Sequence, residues 1–78
     1  MSVTYGIKVY LKNSIVDSEG IQINHSLNDL GWNIIDKVKS GKYYEISFSA
    51  DVDINYIKKL CESVLVNQVI EEYEIEKL

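Results

Sequence analysis

Seventy-eight residues form at most one small domain, and a chain of this size buries only about 60% of the surface it exposes unfolded. Twelve acidic residues stand against eight basic ones, all lysine, and the net charge of −4 disfavours a phosphate backbone, so no nucleic-acid partner is expected on the primary reading. The 46% hydrophobic and 26% charged composition is that of a folded globular chain, not of a disordered or membrane-embedded one.

A lone cysteine, Cys61, excludes an intramolecular disulfide, and the sequence has neither an apolar leader nor a twenty-residue apolar run. The expectation is a soluble, cytoplasmic protein with residues 1–78 as a single domain. With no disulfide or metal to staple so short a chain, self-association is expected as well.

Val3 to Lys12 alternates strictly, with Val3, Tyr5, Ile7, Val9 and Leu11 on one face, and reads as a half-buried strand. Asp17 or Ser18 can cap a helix over about 18–30, in which Ile23, Leu27 and Leu30 recur at helical spacing before Gly31 stops it. Trp32 to Lys39 is apolar without clean alternation and suggests a strand carrying a bulge. Ser40-Gly41-Lys42 supplies a turn, with Gly41 available for positive φ, into a second alternating strand over 43–50, so that 32–50 reads as a β-hairpin. Asp51 or Asp53 then caps a helix whose Ile54, Ile57, Leu60, Cys61, Val64 and Leu65 form one apolar stripe. After Asn67-Gln68 a last strand runs from Val69 to Lys77, with Val69, Tyr73 and Ile75 inward.

The resulting β-α-β-β-α-β order predicts a ferredoxin-like α+β sandwich, a four-stranded antiparallel sheet with two helices on one face. Its open face would carry Lys8, Tyr10, Tyr43, Glu45, Ser47 and Glu72 among others, a mixed surface suited to a partner subunit.

Catalytic chemistry finds no foothold. One histidine and one cysteine cannot build a zinc site of the usual stoichiometry within one subunit, and no glycine-rich phosphate loop is present. Cys61 falls on the apolar stripe and reads as core, His25 reads as a helix-surface residue, and the Glu71, Glu72, Glu74 and Glu76 run reads as a solvated edge that discourages sheet pairing. No catalytic, cofactor-binding or metal-binding residue is expected. The fold order is shared with RNA-recognition modules, and Gly41 to Phe48 echoes their third strand. Glu45 replaces the small residue of that motif, however, and arginine is absent throughout. A homodimeric ferredoxin-like module binding a small effector or RNA is therefore the alternative reading.

The stretches Val9-Tyr10-Leu11-Lys12, Ile15 to Gly20, Leu30-Gly31, Val38 to Ile46, Cys61-Glu62 and Leu65 to Tyr73 together resemble the PurS family, small subunits of phosphoribosylformylglycinamidine (FGAM) synthase. The resemblance spans nearly the whole chain. It implies an accessory subunit of de novo purine biosynthesis that performs no chemistry itself. Such a subunit forms homodimers or tetramers, bridges a PurQ-like glutaminase and a PurL-like synthetase, and helps enclose ammonia transfer; ATP and Mg belong to the synthetase. On the matched positions it marks Gly41, Lys42, Tyr43, Glu45, Asn67, Val69, Ile70 and Glu71 as subunit-interface candidates, with Gly41 readable equally as a turn glycine and Asn67 as a helix exit. Where the family carries Asp-Pro-x-Gly, Arg and Asn-Pro-Val-Ile-Glu, this chain has Asp17-Ser18-Glu19-Gly20, Lys39 and Asn67-Gln68-Val69-Ile70-Glu71.

Overall fold

The computed structural model describes residues 2–78. Strand β1 (Val3–Leu11) is followed by helix α1 (Ser18–Asp29), strand β2 (Gly41–Phe48), helix α2 (Ile54–Leu60) and strand β3 (Glu71–Lys77). The three strands form one sheet in the order β2-β1-β3, antiparallel throughout.

The alternation of β1 sets which face each strand presents. Ile7 lies between Tyr44 and Ile75, and Val9 between Lys42 and Tyr73, so that apolar side chains of all three strands meet on one face. Helix α2 covers that face. Asp53 caps it by accepting from the Asn55 amide at 2.7 Å. Ile57 and Cys61 then close on Ile7, Val9 and Val66 to make the whole buried core, with Tyr44, Ile46, Phe48, Tyr73 and Ile75 around its rim. Phe48 stacks edge-on between Tyr5 and Tyr56, with ring centroids 6.1 and 6.0 Å away.

After Leu60 the helix widens into a π-helical turn, Cys61–Leu65, closed by the Val66 amide donating to the Cys61 carbonyl at 2.9 Å. The extra residue in the turn rotates Val64 out to 80% exposure and brings Val66 inside. The apolar stripe expected from uniform 3.6-residue spacing therefore breaks after Cys61. Tyr73 of β3 fastens the turn, its hydroxyl donating to the Glu62 carboxylate at 2.7 Å.

The expected four-stranded sheet is not formed. Trp32 to Lys39 is not a strand, and the hairpin with 43–50 is absent; β2 pairs with β1 instead. The backbone of this segment is committed elsewhere. The Trp32 amide donates to the Leu27 carbonyl of α1 at 2.9 Å, and the Asp36 carbonyl accepts from the Asn24 side chain. Its adjacent Ile34 and Ile35 supply no two-residue period to hold it in a sheet. Gly41 also departs from the expected turn: it opens β2 in extended conformation, and the positive φ lies at Gly31, where α1 ends. A Cβ on Gly41 would stand 2.6 Å from the Val9 carbonyl, which explains a glycine there by close strand approach.

In other respects the architecture keeps to the expected ferredoxin-like α+β class. Helix α1 contributes no residue to the core cluster, and the described residues extend over 48 × 27 × 14 Å. With so few buried side chains, each carries a large share of the stability. Ile57→Ala is expected to cost about 3 kcal/mol, read as a lowered denaturation midpoint in urea.

Candidate functional site

Six residues separate the end of β1 from α1, and the chain returns at Ser40 directly into β2. Asp17 closes this crossing. Its carboxylate accepts from the Gly20 amide at 2.9 Å as the α1 N-cap, from the Ser40 amide at 2.7 Å and from the Ser40 hydroxyl at 2.6 Å. The bonds from Ser40 and Gly20 hold the Asp17 carboxyl below its ordinary value, so it stays ionised and the knot stays tied down to acid pH. Gly20 is buried because the returning chain passes over it; a Cβ there would press into the Val38 carbonyl. Neither Ser40 nor Gly20 was marked from sequence. The Asp17–Gly20 spacing is a local capping signal, whereas Ser40 lies 23 residues from Asp17 and nothing local announces it. Between α1 and the returning chain lies an open cleft of about 330 Å³, lined by Leu11, Ile15, Val16, Ile21 and Val38 among others.

A second cluster sits beside this knot. Glu71 accepts from the Asn67 amide at 2.8 Å through one carboxylate oxygen, and its other oxygen stands 3.9 Å from the Lys42 ammonium across β1. Asn67 turns the chain, its side-chain oxygen accepting from the Val69 amide at 3.1 Å, so the turn forms with glutamine after it instead of proline. Lys42, Asn67 and Glu71 are thus brought together. The expected inward Val69 is instead 79% exposed in the turn before β3, with Ile70 half-buried beside it.

Tyr43 and Glu45 belong to the opposite, open face. The Tyr43 ring lies over Gly6, and the register sets Tyr43, Lys8 and Glu74 in one row. Lys39 holds its ammonium 4.0 Å from the centre of the Tyr10 ring, and the Glu74 carboxylate raises the Tyr10 phenol above its ordinary value. Gly41 joins the two faces at the end of the sheet.

Burial pushes the Cys61 thiol up, so it is a protonated core group and not a nucleophile. His25 lies exposed on α1. Among the described residues no group of three or more His, Cys, Asp or Glu is placed to hold a metal ion, and no helix is long and apolar enough to cross a membrane. The polar clusters hold turns, caps and strand ends.

The model of the PurS family, phosphoribosylformylglycinamidine (FGAM) synthase, matches residues 4–78. The chain belongs to the PurS family. It is 38% identical over 76 residues to the phosphoribosylformylglycinamidine synthase subunit PurS of Bacillus subtilis, covering 92% of this chain and 90% of that relative. The Synechocystis PurS is 32% identical, over 94% of this chain and 78% of the relative. Among solved structures, Bacillus subtilis PurS superimposes with a TM-score of 0.86 at 34% identity, over 100% of this chain and 99% of that one. A chain of the Thermotoga maritima PurLQS structure superimposes with a TM-score of 0.88 at 28% identity, over 100% and 99%. The family places this chain as a subunit of FGAM synthase in purine biosynthesis. The knot forms with Ser18 after the capping residue, because the Asp17 carboxylate supplies the cap and the small Gly20 lets the returning chain pass.

Two outcomes follow from this geometry. Gly20→Ala should force Val38 away and loosen the knot, so that the Ser40 amide loses hydrogen-exchange protection while the Ile7 and Ile57 amides keep theirs; unchanged protection at Ser40 would show that the knot does not depend on this contact. The Tyr73 phenol is raised from 10.0 to about 12, first by its bond to Glu62 and then by burial. Its neutral form is the one the fold favours, so its contribution is complete below the ordinary value near 10 and is lost as pH rises through about 12. Ultraviolet titration should find one of the six tyrosines ionising near 12, and Glu62→Gln should bring it down.

Proposed function

We propose that this chain is the non-catalytic bridge of its FGAM synthase: it joins a glutaminase subunit to an ATP-dependent synthetase subunit, associates with further copies of itself, and helps enclose ammonia passing between the two active sites. The observation that carries this reading is the match over the full chain to a PurS protomer within the Thermotoga maritima PurLQS structure. The chemistry of the chain is in keeping with it. The polar side chains described above are engaged in holding turns, caps and strand ends, and ATP and Mg belong to the synthetase. Ammonia loses its nucleophilicity when protonated in bulk water, so a docked protein wall that excludes water has a direct chemical use.

The interface candidates divide by face in this reading. Lys42, Asn67, Val69, Ile70 and Glu71 form one surface at the end of the sheet, with Gly41 at its margin; Tyr43 and Glu45 lie on the open face. Purified chain mixed with the cognate glutaminase and synthetase, ATP, glutamine and formylglycinamide ribonucleotide should restore glutamine-driven synthesis. The synthetase alone should still work with free ammonia. A mixture that forms no complex and gains no glutamine-driven activity would sink the reading.

A further inference from the structure

The lysines of this acidic chain are not spread evenly. On the open face of the sheet, at the end where β1 stops and β2 begins, Lys8, Lys39 and Lys42 line one hollow of about 440 Å³ together with Tyr10, Tyr43 and Glu74. Three of the eight lysines thus meet a single carboxylate, which leaves a local charge of +2 in a chain whose net charge is −4.

Gly41 opens the hollow. The register sets Gly41 opposite Tyr10 and Lys8 opposite Tyr43, so the place beside Tyr10 on β2 holds no side chain. A Cβ there would also crowd the Tyr10 Cβ at 3.3 Å. Tyr43 forms the other wall and is 52% exposed. The lysines keep most of their charge available. Lys39 holds its ammonium 4.0 Å from the centre of the Tyr10 ring, a contact that positions the cation without neutralising it. Among the described residues neither Lys8 nor Lys39 joins an ion pair, and Lys42 keeps only the loose one to Glu71 at 3.9 Å, with its side chain 62% exposed. The acids lie to one side. Glu74 faces the Tyr10 phenol from β3, and Glu72 stands on the open face of the same strand, so the hollow is positive toward β2 and negative toward β3.

We propose that this hollow binds a small phosphate monoester that carries a planar ring, with the phosphoryl group among Lys8, Lys39 and Lys42 and the ring against Tyr43. Charge selects the group. A phosphate monoester carries about −1.5 to −2 at neutral pH and matches the surplus of two, whereas a lone carboxylate supplies half of that. Lysine serves such an anion as a point charge and demands no fixed fork geometry. An exposed aromatic ring is a stacking surface for a base. A nucleic-acid strand does not fit, because Glu72, Glu74 and Glu76 meet the next phosphate beyond the hollow. The proposal goes beyond the bridging reading and does not depend on it.

The test uses the unmodified full chain in the assembly it forms in solution. Adenosine monophosphate, ribose 5-phosphate, adenosine and inorganic phosphate are each titrated into isotope-labelled chain and followed by NMR. The expected result is saturable binding of adenosine monophosphate with a dissociation constant below about 1 mM, centred on the amides of Lys8, Gly41 and Tyr43, weaker with ribose 5-phosphate and absent with adenosine. The variant Lys8→Gln with Lys39→Gln, at two exposed positions, should raise that constant at least about 10-fold while Ile7 and Ile57 keep their hydrogen-exchange protection. Tyr43→Ala should remove the advantage of adenosine monophosphate over ribose 5-phosphate. Inorganic phosphate bound as tightly as adenosine monophosphate would mark an adventitious ion only and overturn the proposal. No saturation, equal binding of adenosine, or indifference to the lysine variant overturns it as well. Glutamine-driven synthesis by the reconstituted enzyme is a separate readout, so the bridging reading stands or falls on its own.

Discussion

Ile7 and Val9 of the central strand, packed against Ile57 and Cys61 of the single covering helix, hold this molecule together. Among the described residues strand β1 alone has two neighbouring strands, so both edge strands depend on it for their sheet hydrogen bonds. The π-helical turn follows from the same packing. It lets α2 end with Cys61 and Val66 both on the sheet, and the bond from Tyr73 to Glu62 holds that ending in place. Among the described residues a core of five buried side chains is near the lower limit for an independent fold, and much apolar surface stays exposed.

The ionised carboxylate of Asp17 does for α1 and the returning chain what the core does for the sheet. Charge-assisted bonds to Ser40 tie together two points of the chain that the sequence separates widely. Beside the knot, Glu71 ties the turn at Asn67 to Lys42 on the far edge strand. These two polar junctions stand at the same end of the sheet, where β1 stops and β2 begins. They fix the outline of that end of the molecule.

Much of this was legible in the sequence. The alternation in Val3–Leu11, in the second strand and in Glu71–Lys77, and the capping aspartates Asp17 and Asp53, located three strands and two helices, because strand alternation and helix caps are local signals. Family membership was legible too, in motifs spread along the chain. Lys42, Asn67 and Glu71 stand among the interface candidates that the resemblance marks, but nothing local in the sequence announces the contacts that join them.

The sequence by itself determined the three strands and two helices that form and the inward residues of β1, since each follows from residue identity and near-neighbour spacing. Only the tertiary structure decided that Trp32 to Lys39 is not a strand, that Val69 faces out, and that α1 contributes nothing to the core cluster. The physical reason is the same in each case. These outcomes turn on which distant partner claims a backbone or side-chain group: Leu27 and Asn24 for the returning chain, Asn67 for the turn at Val69, and Ser40 for Asp17. No local period in the sequence records that competition.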